Sequence, residues 1–200
     1  MEWQGKTWAT LGDSITEANG YQPHVRAALG FAEVANYGRS GCPMTAGGDT
    51  DEGSTVRVGA GIGRYDCVTV FAGVNDFRLS KPLGSPGDIG IHTFYGAYAT
   101  LIESILKAHP VCRLNLWTPL HRDKDGFDVE TRNDCGCRLD YYAEAVRVLG
   151  RRYALPVLDL YRESGINALT LPLFTSDGLH PNEAGHVRIA GMAASFLERL

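Results

Sequence analysis

The chain has 200 residues, 44% of them hydrophobic and 21% charged, the composition of one globular domain rather than of a low-complexity or disordered polymer. Its 19 Lys and Arg are scattered and outnumbered by 23 Asp and Glu, giving a net charge of -4, which argues against a surface built to hold nucleic-acid phosphates. No apolar run is long enough to span a bilayer, and the start MEWQGKTWAT lacks the basic-then-apolar order of a signal peptide, so a single cytoplasmic domain over residues 1–200 is expected.

Taken in chain order, KTWATLG predicts a first strand, and Val25, Ala28 and Leu29, closed by Gly30, predict a short helix. AEVANYG predicts a second strand. DCVTVFAG predicts a third, and its unbroken apolar run suits a sheet covered on both faces. From a Thr93 cap, Phe94, Tyr98, Leu101 and Ile105 share one helical face, and the helix should stop before Pro110, where the backbone is biased away from helix. CRLNLWTPL is the fourth strand. Leu139, Ala143, Val146 and Tyr153 mark another helix, LPVLDLY a fifth strand, and a last helix runs from about Glu183 with Val187, Ala190, Ala194 and Leu197 as its apolar stripe. Strand and helix alternate throughout, which predicts an α/β sandwich around a parallel sheet with right-handed crossovers. Residues 42–65, 77–92 and 121–137 break the rhythm, and loops of that length in a compact domain usually carry function.

Sheets of this kind bind ligands at the carboxyl ends of their strands. TLGDSIT puts Ser14 at the end of the first strand, NYGRSG puts Asn36, Gly38 and Gly41 after the second, and GVND puts Gly73, Asn75 and Asp76 after the third. FTSDGLHPNEAGH places Asp177 and His180 in one loop ahead of the last helix. A serine hydroxyl is a weak nucleophile without a base, and imidazole titrates near neutral pH, so His180 suits the removal of the Ser14 proton. Asp177, three positions earlier, can be presented on the same turn to fix the imidazole tautomer. The oxyanion of a tetrahedral intermediate would need donors, and the backbone N–H groups of Ser14 and Gly41 and the Asn75 amide are candidates. Taken singly, each of these is ordinary turn or capping chemistry, and Ser14 itself is a good helix N-cap. Four ordered blocks are harder to assign to chance.

GDSIT, NYGRSG, GVND and DGLH, in that order and spacing, resemble the four signature blocks of the SGNH hydrolases, also called the GDSL esterase/lipase family. The blocks span residues 12–180, nearly the whole chain. The resemblance implies Ser14 as nucleophile, Ser14, Gly41 and Asn75 as the oxyanion hole, and Asp177 with His180 completing a triad. It also implies a flavodoxin-like three-layer α/β/α fold. Ile15 stands where the family's short name has Leu, and Val74 where many members have Thr; neither changes the donors. The Gly-x-Ser-x-Gly elbow of the α/β-hydrolases is absent.

The expected function is therefore a serine esterase that cleaves short-chain carboxylic esters through an acyl-enzyme with no metal or cofactor. The family resemblance makes O-acetyl groups on carbohydrate a reasonable substrate, and lysophospholipase, thioesterase or acyltransferase activity, or a non-catalytic carbohydrate-binding protein, are the alternatives. The oligomeric state is left open. Other matches are weaker. GAGIGR lacks the last Gly of a dinucleotide fingerprint and a preceding strand, and GDTDEG and DKDGFD lack calcium-loop spacing, so the latter two read as solvated loops. Cys67 and Cys112 read as buried strand residues, Cys135 and Cys137 as incidental loop thiols, and Cys42 as a thiol beside the site. Tyr21, Arg39, Phe77 and Arg78 flank the site as pocket or rim residues, and His186 reads as a helix residue without a catalytic role.

Overall fold

The computed structural model describes residues 2–47 and 51–200; the first half of the GDTDEG segment lies outside them. Five strands, β1 (Thr7–Gly12), β2 (Glu33–Gly38), β3 (Cys67–Phe71), β4 (Arg113–Trp117) and β5 (Val157–Leu158), form one sheet in the order β2-β1-β3-β4-β5. Every pairing is parallel. The helices between and after them are α1 (Ser14–Glu17), α2 (Gln22–Leu29), α3 (Thr55–Ala60), α4 (Val74–Arg78), α5 (Phe94–Ala108), α6 (Leu139–Tyr153), α7 (Leu160–Glu163), α8 (Leu171–Phe174) and α9 (Glu183–Leu197). The result is a three-layer α/β/α sandwich.

Because strand side chains alternate between faces, the sheet feeds two cores. Ala9, Leu11, Val68, Val70, Leu114 and Leu116 pack with α3, α5 and α6 on one side. Trp8, Cys67, Phe71 and Trp117 pack with α2 and α9 on the other. A polar row interrupts the second face: Thr10, Thr69 and Asn115 stand side by side in register on β1, β3 and β4, all buried. Their purpose is hydrogen-bond satisfaction, since Trp8 Nε1 donates to Thr69 Oγ1 at 2.9 Å and Trp117 Nε1 to Asn115 Oδ1 at 2.8 Å.

Local signals account for the helix ends. Thr93 caps α5 by accepting from Gly96 N, and α5 stops two residues before Pro110. Gly30 ends α2 in the left-handed region at φ 78°, where a side chain would be strained. The last helix keeps Ala190, Ala194 and Leu197 of its expected stripe against the core but departs from it at Val187, which is exposed; Ile189, Ala193, Phe196 and the half-polar His186 complete the buried face. Gly20 gives that imidazole room, since a Cβ there would lie 2.3 Å from the ring. The segment 42–65 is likewise not all loop, because it contains α3.

Candidate active site

Gly12 ends β1 and Gly38 ends β2, and both are glycine because α1 presses on them. A Cβ on Gly38 would lie 2.2 Å from the Glu17 backbone N, and one on Gly12 would lie 2.4 Å from Phe71 O and from Thr16 Oγ1. Asn36 fastens the other end of α1 by donating from Nδ2 to Thr16 O at 2.7 Å, and Gln22 donates to the same oxygen at 2.8 Å. The N-cap of α1 is Asp13 rather than Ser14: Asp13 Oδ1 accepts from Ile15 N at 3.0 Å. That leaves the Ser14 hydroxyl free for another partner. Burial pushes the Asp13 carboxyl up to about 7, against the pull of the Ile15 N–H and the nearby His180.

The partner is His180, whose Nε2 lies 3.0 Å from Ser14 Oγ. Its Nδ1 lies 2.8 Å from Asp177 Oδ2. Residues 175–181 close on themselves, with Ser176 N donating to His180 O and an antiparallel bridge between Thr175 and Pro181. Inside this turn Asp177 Oδ1 accepts the backbone N–H groups of Leu179 at 3.1 Å and His180 at 2.8 Å. Its Oδ2 also accepts from Lys124 Nζ. Partial burial by itself would raise the Asp177 carboxyl; the hydrogen bonds from Lys124, from the His180 side chain and from the backbone outweigh it and hold the group well below the usual carboxylate range. The site is open, with the His180 side chain 39% and the Asp177 side chain 34% exposed.

Gly41 lies in the loop after β2 at φ 73°, a left-handed conformation that favours glycine, and the space in front of its Cα is empty out to 4 Å. Asn75 is buried in the first turn of α4, where Nδ2 donates to Cys42 O at 3.2 Å and Oδ1 accepts from Arg78 Nε and Nη2. Its second N–H, and the backbone N–H groups of Ser14 and Gly41, have no protein acceptor among the described residues. Asp76 locks this side of the site: fully buried, it accepts from Met44 N at 2.7 Å and Thr45 N at 3.0 Å, tying the Gly41 loop to α4. Burial pushes its carboxyl up to about 6 in spite of those two donors.

Several flanking expectations change. Tyr21 and Phe77 are fully buried and do not line a pocket: Tyr21 packs against Trp8, Phe71 and Trp117, and Phe77 against Phe127 and Tyr142. Arg39 is exposed at the rim. Burial, together with Glu17, raises the Cys42 thiol, with Arg39 pulling the other way, so it is not an activated nucleophile. Cys67 and Cys112 are buried as expected. DKDGFD is not a solvated loop, since its Lys124 reaches Asp177 and its Phe127 meets Phe77. Of the residues that build the site, sequence reasoning passed over Lys124 and the anchoring roles of Asp13 and Asp76. The Asp125-Gly126 turn signal was the available clue to the first.

A family model described as GDSL-like Lipase/Acylhydrolase matches residues 10–188. Comparison with curated protein sequences finds no match. Among solved structures, a protein from Lactobacillus plantarum is 31% identical, with a TM-score of 0.88, over 98% of this chain and 98% of its own. A possible lipase from Chitinophaga pinensis is 23% identical, with a TM-score of 0.78, over 97% of this chain and 98% of its own. A mutant of an acetyl-xylooligosaccharide esterase from Geobacillus shares the fold at 21% identity and a TM-score of 0.66, over 97% of this chain and 94% of its own.

Proposed function

The chain belongs to the GDSL-like lipase/acylhydrolase family, and from that premise we propose that it is a serine esterase acting on short-chain carboxylic esters through an acyl-enzyme. The observation that carries the reading is the unbroken hydrogen-bonded chain from Ser14 Oγ through the His180 imidazole to Asp177. In the first step Ser14 Oγ bonds to the ester carbonyl carbon while His180 Nε2 takes its proton. The carbonyl oxygen becomes an oxyanion facing the N–H groups of Ser14 and Gly41 and the Asn75 amide. Asp177 stabilises the imidazolium so formed. Collapse breaks the bond to the leaving alkoxide, which His180 protonates, and leaves the acyl group on Ser14. Water, deprotonated by His180, then attacks that ester, and Ser14 recovers its proton as the acid departs. Every proton moves among Ser14, His180, water and the alcohol, so the scheme calls on no metal or cofactor.

The rim favours a hydrated alcohol portion over a long acyl chain. Arg39 is exposed, the Ser40 hydroxyl donates to Glu17, and Arg78 is only half-buried. The acetyl-xylooligosaccharide esterase that shares the fold makes acetylated sugars the first natural class to try. The test is hydrolysis of p-nitrophenyl esters from acetate to dodecanoate and acetate release from acetylated xylo-oligosaccharides, with wild type beside Ser14→Ala. Turnover that falls with acyl length and vanishes in the variant is expected. Turnover kept by folded Ser14→Ala, or a wild type that neither turns over esters nor reacts with a fluorophosphonate, overturns the reading.

A further inference from the structure

The segment after β4 is the most elaborate turn near the candidate site, and its geometry is specified by residues with no other evident task. Lys124 and Phe127 exchange backbone hydrogen bonds in both directions, at 3.2 and 3.0 Å, around Asp125 and Gly126. Both central residues are left-handed, with φ 56° and 76°, the backbone of a tight hairpin turn that Asp-Gly suits. Arg122 sets this turn from below: the side chain is almost fully buried, Nε donates to Phe127 O at 3.1 Å, Nη2 donates to Lys124 O at 2.8 Å, and the guanidinium lies over the Phe127 ring. Phe127 in turn meets Phe77 edge to face at 5.5 Å, so the turn is braced on α4.

The same turn is docked on the loop that carries Asp177 and His180. Asp123 N donates to Gly178 O at 2.8 Å, and a Cβ on Gly178 would lie 1.9 Å from Asp123 O, so the two backbones touch. At this junction Lys124 Nζ lies 2.5 Å from Asp177 Oδ2, the oxygen that faces His180 Nδ1. The lysine side chain is only 28% exposed. Asp177 is thereby held by four groups, two backbone N–H groups on Oδ1 and two side chains on Oδ2, which together set the orientation of its carboxylate.

We propose that Lys124 is a positioning residue of the esterase reaction, fixing Asp177 and tuning the basicity of His180 through it; the proposal rests on the serine-esterase reading above. The ammonium group offsets part of the Asp177 charge. A carboxylate so compensated stabilises the imidazolium less than a free carboxylate does. The other charges near the pair are Asp13, which acts on His180, and Arg122, which acts on Asp177; Asp76 in turn acts on Asp13, and Arg78 and Asp125 on Arg122. None of these bonds to Asp177; among the described residues, Lys124 and His180 are the side chains that do.

The experiment compares pH profiles of kcat/KM on p-nitrophenyl acetate for wild type, Lys124→Met, Lys124→Gln and Lys124→Arg, after fluorophosphonate labelling of wild type and its loss in Ser14→Ala have established the serine mechanism. If labelling fails, the esterase reading itself falls, and the Lys124 profiles are not needed to see it. With labelling in hand, removing the charge should move the acid limb up by about 0.5 to 1 pH unit, a shift halved from that of a buried pair because the groups are partly solvated. Lys124→Arg should restore the wild-type limb. Lys124→Gln keeps a donor without the charge and decides the same question if the methionine variant does not fold. An acid limb that superimposes on wild type in a folded, charge-free variant overturns the proposal, even if the rate has fallen, since a merely structural brace would lower the rate without moving the limb.

Discussion

Asp177→Asn separates the charge of the candidate triad from its shape. The carbonyl oxygen of the asparagine can replace Oδ1 and keep the bonds from Leu179 N and His180 N, which lie at 3.1 and 2.8 Å. Its NH2 then occupies the place of Oδ2, 2.8 Å from His180 Nδ1 and against Lys124 Nζ. Facing a donor, Nδ1 must present its lone pair, so the ring proton moves to Nε2 and points at Ser14 Oγ 3.0 Å away. In that tautomer the imidazole cannot accept the serine proton. Flipping the amide would restore an acceptor but set NH2 against two backbone N–H groups, forfeiting two hydrogen bonds worth about 1 kcal/mol each and leaving those donors unpaired. The variant should therefore fold and lose about 10⁴-fold in kcat, about 5.5 kcal/mol of transition-state stabilisation. The assay is p-nitrophenyl acetate hydrolysis near pH 7.5, with circular dichroism to confirm the fold. A folded variant within tenfold of wild type would refute the reasoning, because His180 would then be oriented by some other group.

Asn75→Ala should lower kcat by about 10² to 10³ with little change in KM, the loss expected for one oxyanion donor, as steady-state kinetics on the same ester will show; an unchanged kcat means the amide points elsewhere. Gly38→Ala places a Cβ 2.2 Å from Glu17 N and 2.7 Å from Thr16 C, backbone atoms with nowhere to go, and should destabilise by about 1–3 kcal/mol in urea unfolding while displacing the helix that carries Ser14. Asp13 and Asp76, raised to about 7 and about 6, keep protons in the folded state that the unfolded chain releases near pH 4, so the stability they contribute is present below that pH and declines as pH rises through those values. Asp13→Asn should remove most of its share of that decline, on the order of a few kcal/mol between pH 5 and pH 8, and urea midpoints that fall equally in variant and wild type would show that Asp13 is not the titrating group.

The sheet and the long helices could be read because their signals are local. The run of Val68, Val70 and Phe71, the Thr93 cap and the break before Pro110 each act within a few residues. That Ser14, Asp177 and His180 meet could be expected because each stands directly after or before a predicted element, and parallel strands present their ends on one rim. The face of α9 was readable only in part: Ala190 and Leu197 are buried as their spacing predicts, but Val187 and Ile189 are equally apolar two positions apart, and only packing against α2 and the sheet buries the second and leaves the first exposed. Tyr21 and Phe77 read as pocket or rim residues because they are aromatic and next to the site in sequence, yet both are fully buried, Tyr21 at the start of α2 and Phe77 within α4. Lys124 and Asp177 are 53 residues apart, and no local pattern pairs a lysine in a hairpin turn with a carboxylate that already has a histidine.

The two buried carboxylates explain how short loops hold reacting groups still. Asp13 accepts a backbone N–H at the start of the helix bearing Ser14, and Asp76 accepts two from the loop after Gly41. A carboxylate is the side chain suited to the second task, because Met44 N and Thr45 N each need their own oxygen and no hydroxyl or amide offers two equivalent acceptors. Ionised, Asp76 serves both donors at full strength; protonated, one oxygen becomes a hydroxyl and one bond weakens. Folding favours the protonated form, because burial penalises the charge, whereas a fixed loop after Gly41 favours the ionised one. With the group titrating at about 6, the neutral range lies on the side where the loop is held and stability is reduced. Loop order and global stability therefore respond to protonation of Asp76 in opposite directions; because Asp13 also contributes to the stability and His180 to the activity, a fall in activity below pH 6 accompanied by a rise in urea stability is assigned to Asp76 only where Asp76→Asn removes both and Asp13→Asn keeps them.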